Sequence, residues 1–99
     1  MVKLIVAYGQ PQDPAAFDQH YASTHAPLAQ KIPGLQRFEA GRVLATPDGS
    51  TPPYYLIAEL FFEDTEALQT AMNTSEGQAA GGDVANFATG GATMMIVEV

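Results

Sequence analysis

The sequence predicts an α+β domain of the ferredoxin-like class, with the element order β-α-β-β-α-β and a four-stranded antiparallel sheet. Strand-like and helix-like segments follow one another in that order along the chain. The first and third strands are the most apolar, as expected for the central strands of a sheet ordered 4-1-3-2. The 99 residues contain no repeat and no long linker, so we expect one domain over residues 1–99.

The first third of the chain predicts a strand followed by a helix. Aliphatic and β-branched residues fill Val2–Tyr8, which is expected to be the first strand. Asp13 followed by Pro14 is typical of an N-cap and the first helical position. The helix is expected to run from Pro14 to about His25 or beyond, and to kink or end at Pro27, which has no backbone N–H.

Two strands joined by a loop are expected next. The second strand is predicted over Gln36–Ala45, and its three charged residues indicate an edge position. The third strand is predicted over Tyr54–Phe62, which contains a single charged residue. The segment Thr46–Pro53 contains an Asp-Gly pair and three prolines, so it is predicted to be a hairpin connection.

The last third predicts two short helices and a final strand. Asp64 is expected to cap a helix over Thr65–Asn73. A Ser-Glu-Gly-Gln segment that begins at Ser75 resembles a capping box, and the short helix it opens is weakened by two later glycines. Ala92–Val99 is expected to be the last strand.

The third strand is apolar on both faces. Alternate strand residues point to opposite sides of a sheet. One face carries Tyr54, Leu56, Ala58, Leu60 and Phe62, and the other carries Tyr55, Ile57, Glu59 and Phe61. Two helices cover only one face, so we expect the other to be buried in a homodimer whose two sheets pack into a barrel. Charged residues make up 15% of the chain, against about 25% in a typical soluble domain, which agrees with a buried outer face.

Glu59 is the only charged residue within the third strand, and two interpretations of it stay open. A hairpin that places Ala45 opposite Tyr54 would put Arg42 diagonal to Glu59, giving an ion pair inside the dimer. Alternatively, Glu59 is protonated and acts as a general acid with a raised pKa.

The composition excludes several classes of function. Four Lys or Arg against eleven Asp or Glu give a net charge of −7, and the cations are scattered, so neither nucleic acid nor an anionic membrane is an expected partner. The chain has no cysteine, which excludes disulfides, thiolate nucleophiles and zinc fingers. No apolar run approaches the roughly 18 residues of a membrane-spanning helix. We expect a soluble, cytoplasmic protein.

Both histidines lie on the first predicted helix. At about 100° per residue, Phe17, Tyr21 and Leu28 form an inward stripe. His25 flanks this stripe at the rim of a cleft between helix and sheet, one turn from Tyr21, whereas His20 lies nearer to solvent. An imidazole is the natural acid–base group at such a place, and burial is expected to lower its pKa. The alternative is that His25 only satisfies backbone groups of the kinked helix. Histidines five residues apart do not share a helix face, so no metal site is expected.

Aromatic residues complete the candidate site. We expect His25 and Tyr21 to be catalytic, and a ligand in the cleft to contact Tyr8, Phe17, Leu28 and Phe87. For the tyrosines, packing is the alternative to a phenol aimed at a ligand. Phe87 is also expected to anchor the cleft wall in the core. No glycine cluster follows a strand, and no nicotinamide or flavin motif is present, so no cofactor is expected.

Several segments taken together resemble the EthD family. They are Tyr8-Gly9, the Phe17-Asp18-x-His20-Tyr21 segment with His25-Ala26-Pro27-Leu28-Ala29, Ile32-Pro33-Gly34-Leu35, Ser75-Glu76-Gly77-Gln78, and the stretch from Asp83 to Gly91. The resemblance implies a dimeric α+β barrel with a ligand cleft between sheet and helices, near Tyr21 and His25. Bacterial members are associated with ethyl tert-butyl ether degradation beside a cytochrome P450 system, and fungal relatives include dehydratases of polyketide pathways.

Two functional hypotheses follow. The first is a cofactor-free enzyme that acts on a small, largely apolar ligand, such as an aromatic or polyketide-like molecule. His25 would transfer the proton in a dehydration, an isomerisation or a cyclisation. The second is a non-enzymatic accessory or ligand-binding protein of a catabolic or biosynthetic pathway, which would use the same cleft without chemistry.

Overall fold

Four antiparallel strands form one sheet in the order β2-β3-β1-β4, in a computed structural model that describes residues 1–99. The strands are β1 (Val2–Gly9), β2 (Arg37–Arg42), β3 (Tyr54–Phe62) and β4 (Ala92–Glu98). This is the predicted order, with the two most apolar strands at the centre. The predicted ferredoxin-like architecture is therefore confirmed.

The helices cover one face of this sheet. They are α1 (Pro14–His20), a π-helical turn over Tyr21–His25, α2 (Ala26–Gln30), α3 (Thr65–Met72) and α4 (Ser75–Phe87). Their buried residues and those of the central strands form one hydrophobic core. None of the helices is long and apolar enough to cross a membrane.

The helix starts follow the capping residues, with one correction. Asp13 caps α1 and Asp64 caps α3, as predicted. The start of α4 was predicted one residue too late, because Thr74 rather than Ser75 accepts the capping hydrogen bond from Gly77. The helix is also not short but 13 residues long. Its buried face packs against neighbouring helices, which outweighs the cost of about 1 kcal/mol for each of its glycines.

Of the two outcomes predicted for Pro27, a kink or an end of the first helix, the structure excludes the end. The helix passes it by widening into the π-turn, in which the Ala26 N–H bonds to the Tyr21 carbonyl five residues back. Proline has no N–H to donate, so the backbone pattern has to change at this position, and a single wide turn is one way to do it. The helical segment therefore runs on to Gln30.

The π-turn changes which side chains face the core. In an ordinary α-helix, four residues turn through about 400°, which is one full turn and about 40° more. Side chains spaced four residues apart therefore shift around the helix by about 40° at each step. The wider turn removes most of this drift and leaves His25 on the same side as Tyr21. The buried positions are therefore Phe17, Tyr21, His25, Ala29 and Ile32. His25 is buried rather than at a rim, and Leu28 is half-buried outside the stripe.

The register of β2 against β3 differs from the predicted one by one residue. Arg42 lies opposite Leu56, whereas a hairpin pairing Ala45 with Tyr54 places it opposite Ile57. Because side chains alternate between faces, a shift of one residue moves every β2 side chain to the other side of the sheet. Arg42 consequently lies on the helix-covered side.

The predicted Arg42–Glu59 ion pair is therefore wrong. Arg42 Nη2 instead lies 2.6 Å from Asp18 Oδ2 of α1. Lys3 Nζ of β1 lies 2.7 Å from Glu59 Oε2 on the uncovered side. Glu59 thus pairs with Lys3 instead of Arg42. The interpretation of Glu59 as a neutral general acid assumed that it has no cationic partner, and this assumption is not met.

Tyr55 also departs from the predicted alternation. The register between β1 and β3 shifts where Gly9 pairs with Tyr54 and Tyr8 with Leu56, which leaves Tyr55 as the extra residue of a β-bulge. Its ring packs edge-on against Phe17, with 5.1 Å between the ring centroids. The predicted outward position of Tyr55 was therefore wrong, because the bulge turns its ring towards α1.

The uncovered side of the sheet, called here the open face, is apolar with paired charges. The strand registers place Lys3, Ile5, Ala7, Arg37, Glu39, Gly41, Ile57, Glu59, Phe61, Thr93, Met95 and Val97 on it. Its two cations and two carboxylates cancel, 2 − 2 = 0, in a chain whose net charge is −7. Glu39 of β2 lies directly opposite Glu59 of β3. Each carboxylate has a cation within 2.7 Å, Arg37 for Glu39 and Lys3 for Glu59, which offsets their repulsion. The open face therefore carries no excess charge.

Candidate functional site

An apolar cavity of about 70 Å³ lies between the sheet and the helices. All four strands contribute to its wall, and the hydroxyl and imidazole groups of Tyr8, Tyr21 and His25 are among the few polar groups there. Gly81 of α4 and Met94 of β4 are the lining residues that are exposed to solvent. The cavity therefore opens between α4 and β4.

A chain of hydrogen bonds joins His25 to two other buried side chains. Asp83 Oδ2 of α4 lies 3.0 Å from His25 Nδ1, and the Tyr8 hydroxyl at the end of β1 lies 3.3 Å from His25 Nε2. Tyr8 is 1% exposed, His25 6% and Asp83 7%, so these bonds form away from bulk water. We call this arrangement the Asp83–His25–Tyr8 chain.

The chemistry of the partners assigns the proton on His25. An ionised carboxylate can only accept hydrogen bonds, so Nδ1–H donates to Asp83. Nε2 is then unprotonated and accepts the Tyr8 O–H. A carboxylate behind the imidazole fixes its ring and its tautomer and makes Nε2 a better base.

The charge states agree with this assignment. Burial, the largest effect, lowers the pKa of His25, and the hydrogen bond to Asp83 only partly opposes it. This is the direction expected from the sequence. For Asp83 burial alone would raise the pKa, but hydrogen bonds from Asn86, His20 and His25 together lower it. At neutral pH the imidazole is thus neutral and the carboxylate is ionised.

His20 is part of the same network, which the sequence analysis did not foresee. Its Nε2 lies 2.9 and 3.0 Å from the two oxygens of Asp83, and its side chain is half-buried rather than solvated. Asn86, one turn further along α4, donates to the same carboxylate at 3.0 Å. Asp83 thereby orients both histidines of the chain.

The two tyrosines of the cavity wall are hydrogen-bond donors at neutral pH. Burial raises the pKa of Tyr8 well above its usual range and that of Tyr21 to about 12. The Tyr8 hydroxyl is engaged with His25. The Tyr21 hydroxyl is buried and has no protein group within hydrogen-bonding distance.

Aromatic rings behind the cavity hold these groups in place. Phe17 stacks parallel to Tyr21, with 5.8 Å between centroids and an angle of 4°. Phe87 packs against the His25 ring at 4.7 Å. Both phenylalanines are buried core residues, as expected of Phe87, and neither lines the cavity.

The structure thus brings together only part of the predicted site. His25, Tyr21 and Tyr8 line the cavity, whereas Phe17 and Phe87 support it from behind. Leu28 lies outside it, because the π-turn rotates that position away from the sheet. Asp83 stood out in the sequence only as the start of a segment that resembles the EthD family. A buried carboxylate 58 residues from its histidine leaves no local signal in a single sequence.

No group of three or more His, Asp or Glu side chains is arranged to hold a metal ion. The chemically competent groups at the cavity are an imidazole that accepts a proton, a phenol hydrogen-bonded to it, and a second, unpartnered phenol. Such a set can move a proton to or from a bound molecule.

One known protein is similar to this chain over nearly the full length of both. The chain is 46% identical over 98 residues to an uncharacterized 11.0 kDa protein of the thcB-thcC intergenic region in Rhodococcus erythropolis, covering 99% of this chain and 94% of that one.

Two crystal structures are similar over the whole chain. An EthD family protein from Bacillus halodurans is 48% identical with a TM-score of 0.94, covering 100% of this chain and 98% of that one. A dimeric ferredoxin-like protein of unknown function from Jannaschia is 25% identical with a TM-score of 0.71, covering all of both chains. The family model of the EthD domain matches residues 9–91. The chain therefore belongs to the EthD family, as its sequence motifs indicated.

Proposed function

We propose that the protein binds a small, largely apolar molecule in the cavity and transfers a proton on it, with His25 as the acid–base group. The observation that carries this proposal is the Asp83–His25–Tyr8 chain, which ends in the cavity wall at 3.3 Å between the imidazole and the phenol. A buried base oriented by a carboxylate is the arrangement that general acid–base catalysis needs.

The proposed step is a proton relay. The Tyr8 oxygen accepts a proton from the ligand while its own proton passes to His25 Nε2, and Asp83 stabilises the imidazolium that forms. Reversal of the relay returns the proton to another atom of the ligand. An isomerisation needs nothing more, since no electrons are gained or lost, and dehydration or cyclisation uses the same two transfers.

The cavity supports a ligand with a small buried part. Its volume of about 70 Å³ is roughly half of the 150 Å³ or so that accommodates benzene in an engineered cavity. A larger ligand would extend between α4 and β4, where the flexible Met94 side chain can move aside. The apolar wall also strengthens the electrostatic interactions of the relay, because it excludes water.

Removing the Tyr8 hydroxyl tests the relay. The probe is cyclohex-3-en-1-one, whose conversion to the conjugated enone requires one proton to leave and return and is followed by ultraviolet absorbance. We expect Tyr8→Phe to slow the protein-catalysed conversion by at least about tenfold, since one acid–base group is usually worth roughly 10²–10⁴-fold. The control, Tyr54→Phe, alters a more exposed tyrosine that does not line the cavity and should leave the rate unchanged.

Binding of the enone without any conversion would contradict proton transfer. It would support the second hypothesis, a non-enzymatic ligand-binding or accessory protein that uses the same cavity. Binding is measured independently by NMR titration, so the two outcomes are separable.

We further propose that two copies pair through their open faces. This face is apolar and carries no net charge, so two copies meet without net repulsion in spite of the chain's charge of −7. The ferredoxin-like protein from Jannaschia, which has a similar fold, is dimeric. A sheet-on-sheet homodimer would cover a surface that the helices leave unprotected.

A further inference from the structure

We infer that the Tyr21 hydroxyl binds the ligand directly, and that the ligand is a neutral molecule with a carbonyl-type hydrogen-bond acceptor. This inference rests on the proposed function, since it concerns the same cavity. It adds the chemical class of the ligand and a role for Tyr21.

The unpartnered hydroxyl is the main observation. The other hydrogen-bonding side chains of the cavity wall satisfy each other, because Tyr8 bonds to His25 and His25 to Asp83. Tyr21 has its hydroxyl buried in the same wall without a protein partner. Buried polar groups are nearly always paired in folded proteins, so one left over beside a cavity points to a partner that enters the cavity.

The geometry makes Tyr21 a fixed donor. Its ring is stacked on Phe17 and lies edge-on to Tyr8 and Phe87, with centroid distances of 5.8 Å in each case, so its orientation is set by packing. Burial raises the pKa of the phenol to about 12, so at neutral pH it keeps its proton and has an unused O–H to donate. A ligand that satisfies this O–H must present an acceptor.

The surroundings select a neutral acceptor. No lysine or arginine lines the cavity, so a carboxylate or phosphate would be buried without a counterion. The ionised Asp83 behind His25 further disfavours an anion. A carbonyl oxygen meets these conditions, and a phenol donor would also stabilise the negative charge that develops on that oxygen when a neighbouring C–H loses its proton.

Two isosteric probes test the inference by binding alone. Cyclopentanone and methylenecyclopentane have nearly the same shape and differ by an oxygen in place of a CH₂ group. After correction for the higher cost of moving the ketone out of water, measured by partition of both probes into an apolar solvent, we expect the parent protein to prefer the ketone about tenfold in an NMR titration, equivalent to about 1.4 kcal/mol. Tyr21→Phe should abolish this preference, and the control Tyr54→Phe should retain it. The comparison also holds if water occupies the cavity, because a carbonyl can replace a bound water whereas an alkene cannot.

The Tyr21→Phe variant has a second expected signature. It removes a hydroxyl that no protein group satisfies, so its melting temperature should equal or exceed that of the parent. If the variant does not fold, the ¹³C resonance of carbonyl-labelled cyclopentanone bound to the parent protein decides, because a donated hydrogen bond holds it downfield of its position in an apolar solvent. Equal corrected affinities for the two probes, a ketone preference that survives in Tyr21→Phe, or a bound carbonyl resonance at its apolar-solvent position would overturn the inference.

Failure of the proposed proton transfer is distinguishable from failure of this inference. A ketone preference that depends on Tyr21, without conversion of the enone, would support the ligand class while contradicting the proton transfer. Conversion of the enone without a ketone preference would overturn this inference and leave the proposed proton transfer standing.

Discussion

His25→Gln is expected to reduce turnover of the probe enone by roughly 10²–10⁴-fold, the usual worth of one acid–base group. Glutamine keeps a hydrogen-bonding amide at this position but cannot accept and release a proton at neutral pH. The folded chain and the affinity for the probe should be retained. In the parent protein the rate should rise with pH through a pKa below 6.5 and then stay constant, because the base must be neutral and burial lowers the pKa of His25.

Two outcomes would count against this account of His25. Unchanged turnover in His25→Gln would remove it from the mechanism. Loss of folding would instead show that its hydrogen bonds to Asp83 and Tyr8 serve stability, which is the structural alternative considered from the sequence. Melting temperatures measured beside the rates separate the two results.

Ile57→Asp is expected to dissociate the proposed homodimer. Ile57 lies on the open face with the small residues Ala7 and Gly41 as its direct partners, and it is only half-buried in the single chain. A carboxylate is therefore tolerated in the monomer. In a sheet-on-sheet dimer it would be buried without a cation, which destabilises by about 3–5 kcal/mol, or more than a hundredfold in the dimer constant. Sedimentation equilibrium at low micromolar concentration measures this change.

Ile96→Asp is the matched control. It makes the same substitution on β4 at a residue that lies on the helix-covered side and is 49% exposed. Sedimentation should show a dimer for this variant and for the parent. A monomeric parent protein, or an Ile57→Asp variant that stays dimeric, would contradict pairing through the open face.

Most of the fold followed from patterns within short segments. The strand Tyr54–Phe62 was predicted to the residue, since one long apolar run is bounded by prolines and by the capping Asp64. The sheet order followed from the ferredoxin-like order of the elements, and the apolar first and third strands agreed with it. The N-caps Asp13 and Asp64 followed from local side-chain chemistry, which does not depend on the rest of the molecule.

The register of β2 was not determined by its own sequence. Charged and small residues occupy both of its faces, so no apolar alternation fixed which side Arg42 would take. The observed register brings Arg42 to Asp18, a partner distant in sequence. Such contacts become visible only once the sheet is assembled.

The site was half predictable for a related reason. His25 and Tyr21 could be placed on the inner side of one helix, but the π-turn at Pro27 made His25 more buried than a regular helix allows. Its partners lie on other elements, Asp83 on α4 near the other end of the chain and Tyr8 on β1. A helical wheel relates residues within one helix and gives no information about partners on other elements.

The protonation of His25 tests the central claim most directly, because the proposed chemistry depends on a neutral, carboxylate-oriented imidazole. Nitrogen-15 NMR of the two ring nitrogens across a pH titration measures both the tautomer and the pKa, with the His25→Gln variant assigning the signals. The Asp83–His25–Tyr8 chain predicts a proton on Nδ1, an unprotonated Nε2 at pH 7 and a pKa below the unperturbed value of about 6.5. A proton on Nε2 at pH 7, or a pKa at or above about 6.5, would contradict it.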